Sequence, residues 1–536
     1  MLTCGELLVE LLEGFGVDTV FGIPGVHTVE LYRGLPNTRI RHVTPRHEQG
    51  AGFMADGYAR VSGKPGVCFI ITGPGMTNIT TAMGQAYADS IPMLVISAVN
   101  NTEQLGMGGG RLHELPSQSN LVSGVAAFSH TLMRPDELPE VLTRAFAVFN
   151  GARPRPVHIE IPIDVITAPA DHVRRKLGAL PSRPGPCPDA IQRAAQLLKA
   201  AKRPLVLLGG GCADADGEAQ RLVEALDAPT AYTINAKGVL PKGHPLALGC
   251  NQAWVPVRQM VLESDLILAI GTELGETDYD VVFDGNFRIE SKLIRVDIDA
   301  EQLNRNYPAD VAILSDSCLA MKALLAALDP APAFSADSVG CQRAAKVRDE
   351  LEAQWPQTWN GQRKVLDTLQ RTLPDLIVAG DSTQPVYSGN HLFEATRTRS
   401  WFNSATGYGT LGYGLPAAIG AKLAAPERPV IALIGDGGIQ FTLPELASAV
   451  EAGAPIIVLL WNNSGYGEIK RYMQNRDIPT IGVDIYTPDF QGLARAFGCN
   501  AETATSLEHL EELLKSAAKA DRPTLIEVWE HAEFLA

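Results

Sequence analysis

No run of uninterrupted apolar residues in this 536-residue chain is long enough to span a bilayer, so a helical membrane protein is not expected. Basic charge is short too. Lys and Arg number 45 against 60 Asp and Glu, and the net charge of −15 argues against a nucleic-acid partner. That balance bears on solubility and leaves the charge of a small substrate undetermined. The eight Cys lack paired spacing, and most, Cys68 and Cys318 among them, fall in strand- or helix-like runs. The scatter points to reduced thiols, not to a disulfide framework or a zinc site. Met1-Leu2-Thr3-Cys4-Gly5-Glu6 has neither a basic lead nor a following apolar block, so no secretory signal is read there and a cytoplasmic location is expected. Short tandem repeats and low-complexity tracts are missing as well.

What is present is the composition of a globular protein: 46% hydrophobic, 20% charged, with 50 Gly and 36 Pro to serve many strand-helix turns. The length suggests three domains. In block 1–175, apolar runs at 19–21, 67–71, 93–97 and 157–161 alternate with helical stretches, the βα pattern of a parallel sheet. The Pro-rich stretch 181–188 reads as a linker. A second α/β block covers 190–328, with strands at 204–208, 266–270 and 293–296. A second linker starts at Asp329-Pro-Ala-Pro-Ala333, and a third α/β block covers 345–536. The expected fold is α/β, with three doubly wound parallel-sheet domains. Gly209-Gly210-Gly211 falls short of a Gly-x-Gly-x-x-Gly fingerprint and is read as a tight turn.

Gly435-Asp436-Gly437 ends the apolar run 430–434, and Trp461-Asn462-Asn463-Ser464-Gly465 ends the next one, with a helical pattern (442–452) and a strand (455–460) between. In an open parallel sheet both turns emerge at the carboxyl edge of neighbouring strands, where such folds bind ligands. A carboxylate, an amide and a carbonyl there are hard oxygen ligands, suited to Mg²⁺ with phosphate completing the shell. Gly437 and Gly438 let the backbone approach that phosphate. A lone Gly-Asp-Gly would be read as an ordinary turn; Asn-Asn one βαβ unit later changes the reading. Asp436 and Asn463 stand 27 residues apart, and the pairing resembles the cofactor signature of thiamine-diphosphate enzymes. The resemblance implies thiamine diphosphate anchored through Mg²⁺, with Asp436, the Asn463 side chain and the Gly465 carbonyl as metal ligands.

Other stretches extend the resemblance over nearly the whole chain. His47-Glu48 through Arg60 matches the family's His-Glu-x-x-Ala-x-x-Met-Ala-x-Gly-Tyr-Ala-Arg segment. This implies that Glu48 hydrogen-bonds the pyrimidine N1′ and drives the proton exchange that prepares the cofactor's reactive carbon. Pro24-Gly25 and Pro74-Gly75 with Asn78 match turns that lie against the pyrimidine. Gly409 and Leu411 match the segment that bends the cofactor, Leu411 as the wedge between its rings and the Gly409 carbonyl on the 4′-amino group. Ser382, Thr383 and Gln384 follow a strand at 376–379 and are a second expected clamp on the diphosphate. Glu48 and Asp436 fall in different domains, which in this family implies a homodimer, often a tetramer, with each site shared between chains. The central domain of relatives sometimes holds FAD; FAD is left open here and is not expected to be needed for the chemistry.

The chain is most similar to the acetolactate synthase group, but its substrate positions depart from it. Leu411 stands where that enzyme has Met, and Arg111-Leu112-His113-Glu114 where it has Phe-Gln-Glu. His113 aligns with the first of the paired histidines of pyruvate decarboxylase, which implies proton transfer, against the alternative of a surface-loop His. Glu468 takes the place of an apolar pocket residue of that enzyme, and Ile469 the place of its catalytic Glu. A carboxylate at 468 suits a cationic substrate tail, ideally a guanidinium. The expectation is decarboxylation of a basic 2-oxo acid such as 5-guanidino-2-oxopentanoate. The alternatives for Glu468 are a proton-relay role taken over from the next position, or a solvent-facing side chain beside Lys470. Acetolactate synthesis from pyruvate, aldehyde lyase or carboligase chemistry, and a silent regulatory subunit are the competing readings.

Overall fold

The computed structural model describes residues 1–280, 283–328 and 334–536, and contains three six-stranded parallel sheets interleaved with helices, the expected α/β architecture. The expected linker at 329–333 lies outside the described residues.

In the first sheet β1 (Thr19–Gly22), β2 (Arg41–Val43), β3 (Gly66–Ile70), β4 (Met93–Val99), β5 (Phe128–Thr131) and β6 (Val157–Pro162) lie in the order β2-β1-β3-β4-β6-β5. Every residue of β1, β3, β4 and β6 is buried, as in strands covered on both faces, which is why they read as apolar runs without alternation. Leu7, Leu8, Leu11 and Leu12 of the Cys4–Gly14 helix pack with Val67, Phe69, Leu94 and Ile96 into one core. That helix starts at a capping box: Glu6 N–H donates to Thr3 Oγ1 (3.2 Å) and Thr3 N–H to the Glu6 carboxylate (2.8 Å).

The second sheet joins β7 (Pro204–Leu208), β8 (Thr230–Tyr232), β9 (Ala247–Gly249), β10 (Leu266–Ile270), β11 (Lys292–Asp297) and β12 (Val311–Leu314) in the order β12-β11-β10-β7-β8-β9. A Cβ on Gly209 would sit 2.0 Å from the Gly271 carbonyl oxygen, so close packing of two turns accounts for that glycine. Pro188, read as the end of a linker, is instead the first residue of the Pro188–Ala200 helix, a position where a missing N–H costs nothing.

The third sheet joins β13 (Ile377–Gly380), β14 (Trp401–Asn403), β15 (Val430–Gly435), β16 (Ile457–Asn462), β17 (Asn500–Thr503) and β18 (Thr524–Trp529) in the order β14-β13-β15-β16-β18-β17. The helix expected at 442–452 is shorter, Glu445–Glu451, because turns occupy 441–444 up to Pro444. Residues 1–182, 376–386 and 403–534 form one compact unit; 183–375, 387–402 and 535–536 form another. Within the first unit the Glu48–Ser62 helix lies backbone to backbone on the Gly414–Ala424 helix. A Cβ on Gly57 would come within 2.0 Å of the Ala417 carbonyl oxygen, and one on Gly420 within 1.9 Å of that of Met54.

All eight cysteines are free, and Cys187 alone is exposed. Among the described residues no helix is long and apolar enough to cross a membrane.

Candidate active site

Turns gather at the carboxyl edge of the first sheet. β1 runs into Ile23-Pro24-Gly25 and β3 into Ile71-Thr72-Gly73-Pro74-Gly75, and Ile71 packs under both. Its Cδ1 would lie 2.6 Å from a Cβ on Gly25, and its Cγ2 2.5 Å from one on Gly75. Gly75 also borders Glu48, whose Oε1 would be 3.3 Å from that same Cβ. Glu48 opens the Glu48–Ser62 helix, which His47 caps by accepting the Gln49 N–H at Nδ1 (3.2 Å). Half-buried there, Glu48 accepts at Oε2 from Asn78 Nδ2 (2.9 Å). Pro24, Gly25, Pro74 and Asn78 thereby share one edge with Glu48, and Asn78 serves the carboxylate directly.

At the third sheet β13, β15 and β16 are neighbours, and the turns after them meet. Asp436 is 1% exposed; its Oδ1 accepts the Asn463 N–H (3.2 Å) and its Oδ2 the Gly465 N–H (2.9 Å). Burial raises the Asp436 pKa above the usual carboxylate value, against the pull of these backbone donors. Asn463 Nδ2 donates to Glu530 (3.1 Å), which also accepts from Trp461 Nε1 (2.8 Å), so the amide is turned with Oδ1 inward. That Oδ1 is buried and has no hydrogen-bond partner. An unmatched buried acceptor costs about 1–3 kcal/mol, which a cation between it and Asp436 would offset. The Gly465 carbonyl oxygen lies 3.6 Å from where a Gly437 Cβ would stand, facing the same turn. Carboxylate, amide and carbonyl oxygens fit a hard dication that leaves positions for phosphate. Among the described residues no group of three or more His, Cys, Asp or Glu is placed to hold a metal, so this mixed oxygen set is the candidate.

Residues 381–384 border the same turns. Cβ atoms on Gly438 and Gly435 would meet Asp381 Oδ1 at 3.0 Å and Thr383 Oγ1 at 2.9 Å. Asp381 accepts the N–H groups of Ser382 (2.8 Å) and Gly414 (3.0 Å), and burial pushes its carboxyl up to about 6. Leu411 is half-buried in the loop before the Gly414–Ala424 helix, outside the core, between Gly409 (φ +75°) and Gly412 (φ +81°). Thr442 Oγ1 holds the Gly412 carbonyl (2.8 Å). A buried network steadies the loop further. Arg60 bonds Asp56 (2.6 Å) and Asp89 (2.6 Å), while Tyr413 and Thr406 donate to those two carboxylates.

The structure gives His113 a partner that sequence reasoning missed. Its ring lies 5.2 Å from that of His27, tilted by 52°, and the Nδ1 atoms of both are buried without a hydrogen-bond partner. Burial, then the nearby His113, hold His27 below the ordinary histidine pKa. The only sequence signal was a titratable ring two residues past Gly25 on a turn already singled out. Glu530 was missed too; the β16–β18 register, which sets Asn462 opposite Trp529, brings it to Asn463.

Glu468, exposed on the first turn of the Gly467–Gln474 helix, accepts from Gln384 Nε2 and lies 3.7 Å from Arg471 Nη1. Its basic neighbour is Arg471, because Lys470 pairs with Asp484 (2.6 Å). Gln384, expected on the diphosphate, is tied to this pair, its Oε1 3.3 Å from Arg471 Nη1.

Three family models match the chain. Residues 2–121 match the thiamine pyrophosphate enzyme N-terminal TPP binding domain, 191–324 the central domain, and 381–528 the C-terminal TPP binding domain. The chain is 48% identical to "Probable 2-ketoarginine decarboxylase AruI" of Pseudomonas aeruginosa over 98% of its own length and 94% of that protein. It is 31% identical to a "Probable acetolactate synthase large subunit" of Methanocaldococcus jannaschii, covering 98% and 91%. To the acetolactate synthase large subunit of Corynebacterium glutamicum it is 32% identical, covering 98% and 86%.

Proposed function

The chain belongs to the thiamine-diphosphate-dependent enzymes, and from that premise we propose that it decarboxylates a basic 2-oxo acid without oxidation, 5-guanidino-2-oxopentanoate (2-ketoarginine) being the best fit. The observation that carries the substrate class is near-full-length identity of 48% to a relative named for that acid, in a chain that has a carboxylate at Glu468.

When bound, thiamine diphosphate supplies the carbon nucleophile and electron sink for loss of carbon dioxide. Asp436, Asn463 Oδ1 and the Gly465 carbonyl hold Mg²⁺; Gly437 and Gly438 admit the diphosphate, with Ser382, Thr383 and Gln384 as donors. Pro24, Gly25 and Pro74 line the pyrimidine, Glu48 holds a proton at N1′ with Asn78 orienting its carboxylate, and the Gly409 carbonyl takes the 4′-amino group. Leu411 would supply the apolar side chain that packs against the cofactor's rings. His113 and His27 hand a proton to the product carbon, and Glu468 takes the substrate guanidinium, displacing Arg471. Blocks 1–175, 190–328 and 345–536 are the pyrimidine-binding, central and diphosphate-binding domains. The enzyme works in the cytoplasm as a homodimer or homotetramer. Ile469, Tyr472, Ile478, Ile481 and Tyr486, from 46% to 84% exposed, supply apolar surface for a second copy. FAD is not needed.

Carbon dioxide release from a panel of pyruvate, branched, aromatic and basic 2-oxo acids tests this reading, which fails if the basic acids are the poorest substrates. Glu468→Gln is expected to raise KM for the guanidino acid about 10–100-fold, the loss of one charged hydrogen-bonded contact, while apolar acids are little affected. His27→Gln and His113→Gln should each lower kcat by about 10²-fold and shift the alkaline limb of its pH profile, since a group that donates a proton must first carry it. An unchanged limb in both variants would remove the pair from the mechanism.

A further inference from the structure

We propose that Glu445, on the segment that follows Asp436, is a positioning residue that sets the conformation of Glu48. Glu445 opens the Glu445–Glu451 helix and is 1% exposed. Its carboxylate accepts the Arg46 N–H (3.0 and 3.1 Å to the two oxygens), the His47 N–H (3.1 Å) and the Ser448 hydroxyl (2.6 Å). Those two amides are the last before Glu48. Arg46 is held a second time, as its guanidinium donates to Glu451 at the other end of the same helix and to the Thr44 carbonyl (3.0 Å).

A carboxylate out of water is costly unless donors surround it, and here burial pushes it up to about 7 even with these partners. The chain admits it by a glycine. A Cβ on Gly50 would stand 2.2 Å from Glu445 Oε1, so any other residue at 50 displaces the carboxylate. On the Glu48 side, Glu445 is bonded to main-chain N–H groups of residues 46 and 47. Two successive peptide planes held by one charged acceptor determine the direction in which the helix begins, and the Glu48 side chain leaves from its first residue. A catalytic carboxylate misplaced by about 1 Å costs on the order of 10²-fold in rate.

The inference rests on the reading of Glu48 given above, and a double-mutant cycle separates the two. Glu445→Ala is expected to lower kcat about 10–100-fold with substrate KM unchanged, and Glu445→Gln, which keeps one acceptor oxygen, to recover much of the loss. In a Glu48→Gln background the same Glu445→Ala change should cost less than about twofold, since no placed carboxylate is left to disturb. In the cofactor-free protein, amide exchange at residues 46–47 should quicken in Glu445→Ala and in Gly50→Ala, which pushes the carboxylate out from the other side. Should Glu445→Ala not fold, Gly50→Ala and Glu445→Gln complete the cycle. Equal fold-losses in both backgrounds, or unchanged exchange at 46–47, would overturn the positioning role. Full turnover in Glu48→Gln alone would instead overturn the functional reading.

Discussion

Glu48→Gln is expected to keep thiamine diphosphate bound and to lose about 10²–10⁴-fold in kcat, the range that general acid–base groups contribute. The amide has the size of the carboxylate and can still accept from Asn78 Nδ2 through its oxygen, so the Pro74–Ala88 and Glu48–Ser62 helices keep their contact. What it cannot do is hold and return a proton at a ring nitrogen. The variant should therefore divide affinity from turnover: calorimetric titration gives a cofactor Kd within a few-fold of the parent, while kcat at saturating cofactor collapses. A kcat within tenfold of the parent would remove Glu48 from the chemistry.

Asp436→Ala should have the opposite signature, with metal and cofactor lost together. Asp436 supplies one expected ligand and also receives the N–H groups of Asn463 and Gly465, so its removal loosens the turn that carries the other two. The loss should exceed the about 10–100-fold that an outer partner of a metal site is worth. Glu530→Gln, which disturbs the shared acceptor of Asn463 and Trp461 and leaves the three ligand oxygens in place, should fall inside that range. Purified Asp436→Ala should hold no thiamine diphosphate, and chelation of the parent should abolish decarboxylation until Mg²⁺ is returned. Retention of cofactor by Asp436→Ala would refute the metal site.

The parts legible in sequence were those with a local cause. Apolar runs such as 204–208 and 266–270 became strands at the expected residues, because a strand buried on both faces tolerates only apolar side chains. Element ends were less legible. β11 takes in Lys292 and Asp297, and Pro188 starts a helix, because ladder and cap hydrogen bonds do not depend on hydropathy. The Asp436 to Asn463 spacing was readable because it reflects one βαβ unit. His27 with His113, and Asn463 with Glu530, were not readable, since nothing local to either residue names its partner.

By itself the sequence determined the α/β class and the turns that carry Glu48, Asp436 and Asn463, because periodicity and turn chemistry act over a few residues. Tertiary structure alone decided that Asn463 Oδ1 is left without a donor, that Glu468 meets Gln384, and that Glu445 reaches the amides ahead of Glu48. Those are matters of distance between segments far apart in the chain, set by sheet register and by the close contact of two glycine-bearing helices.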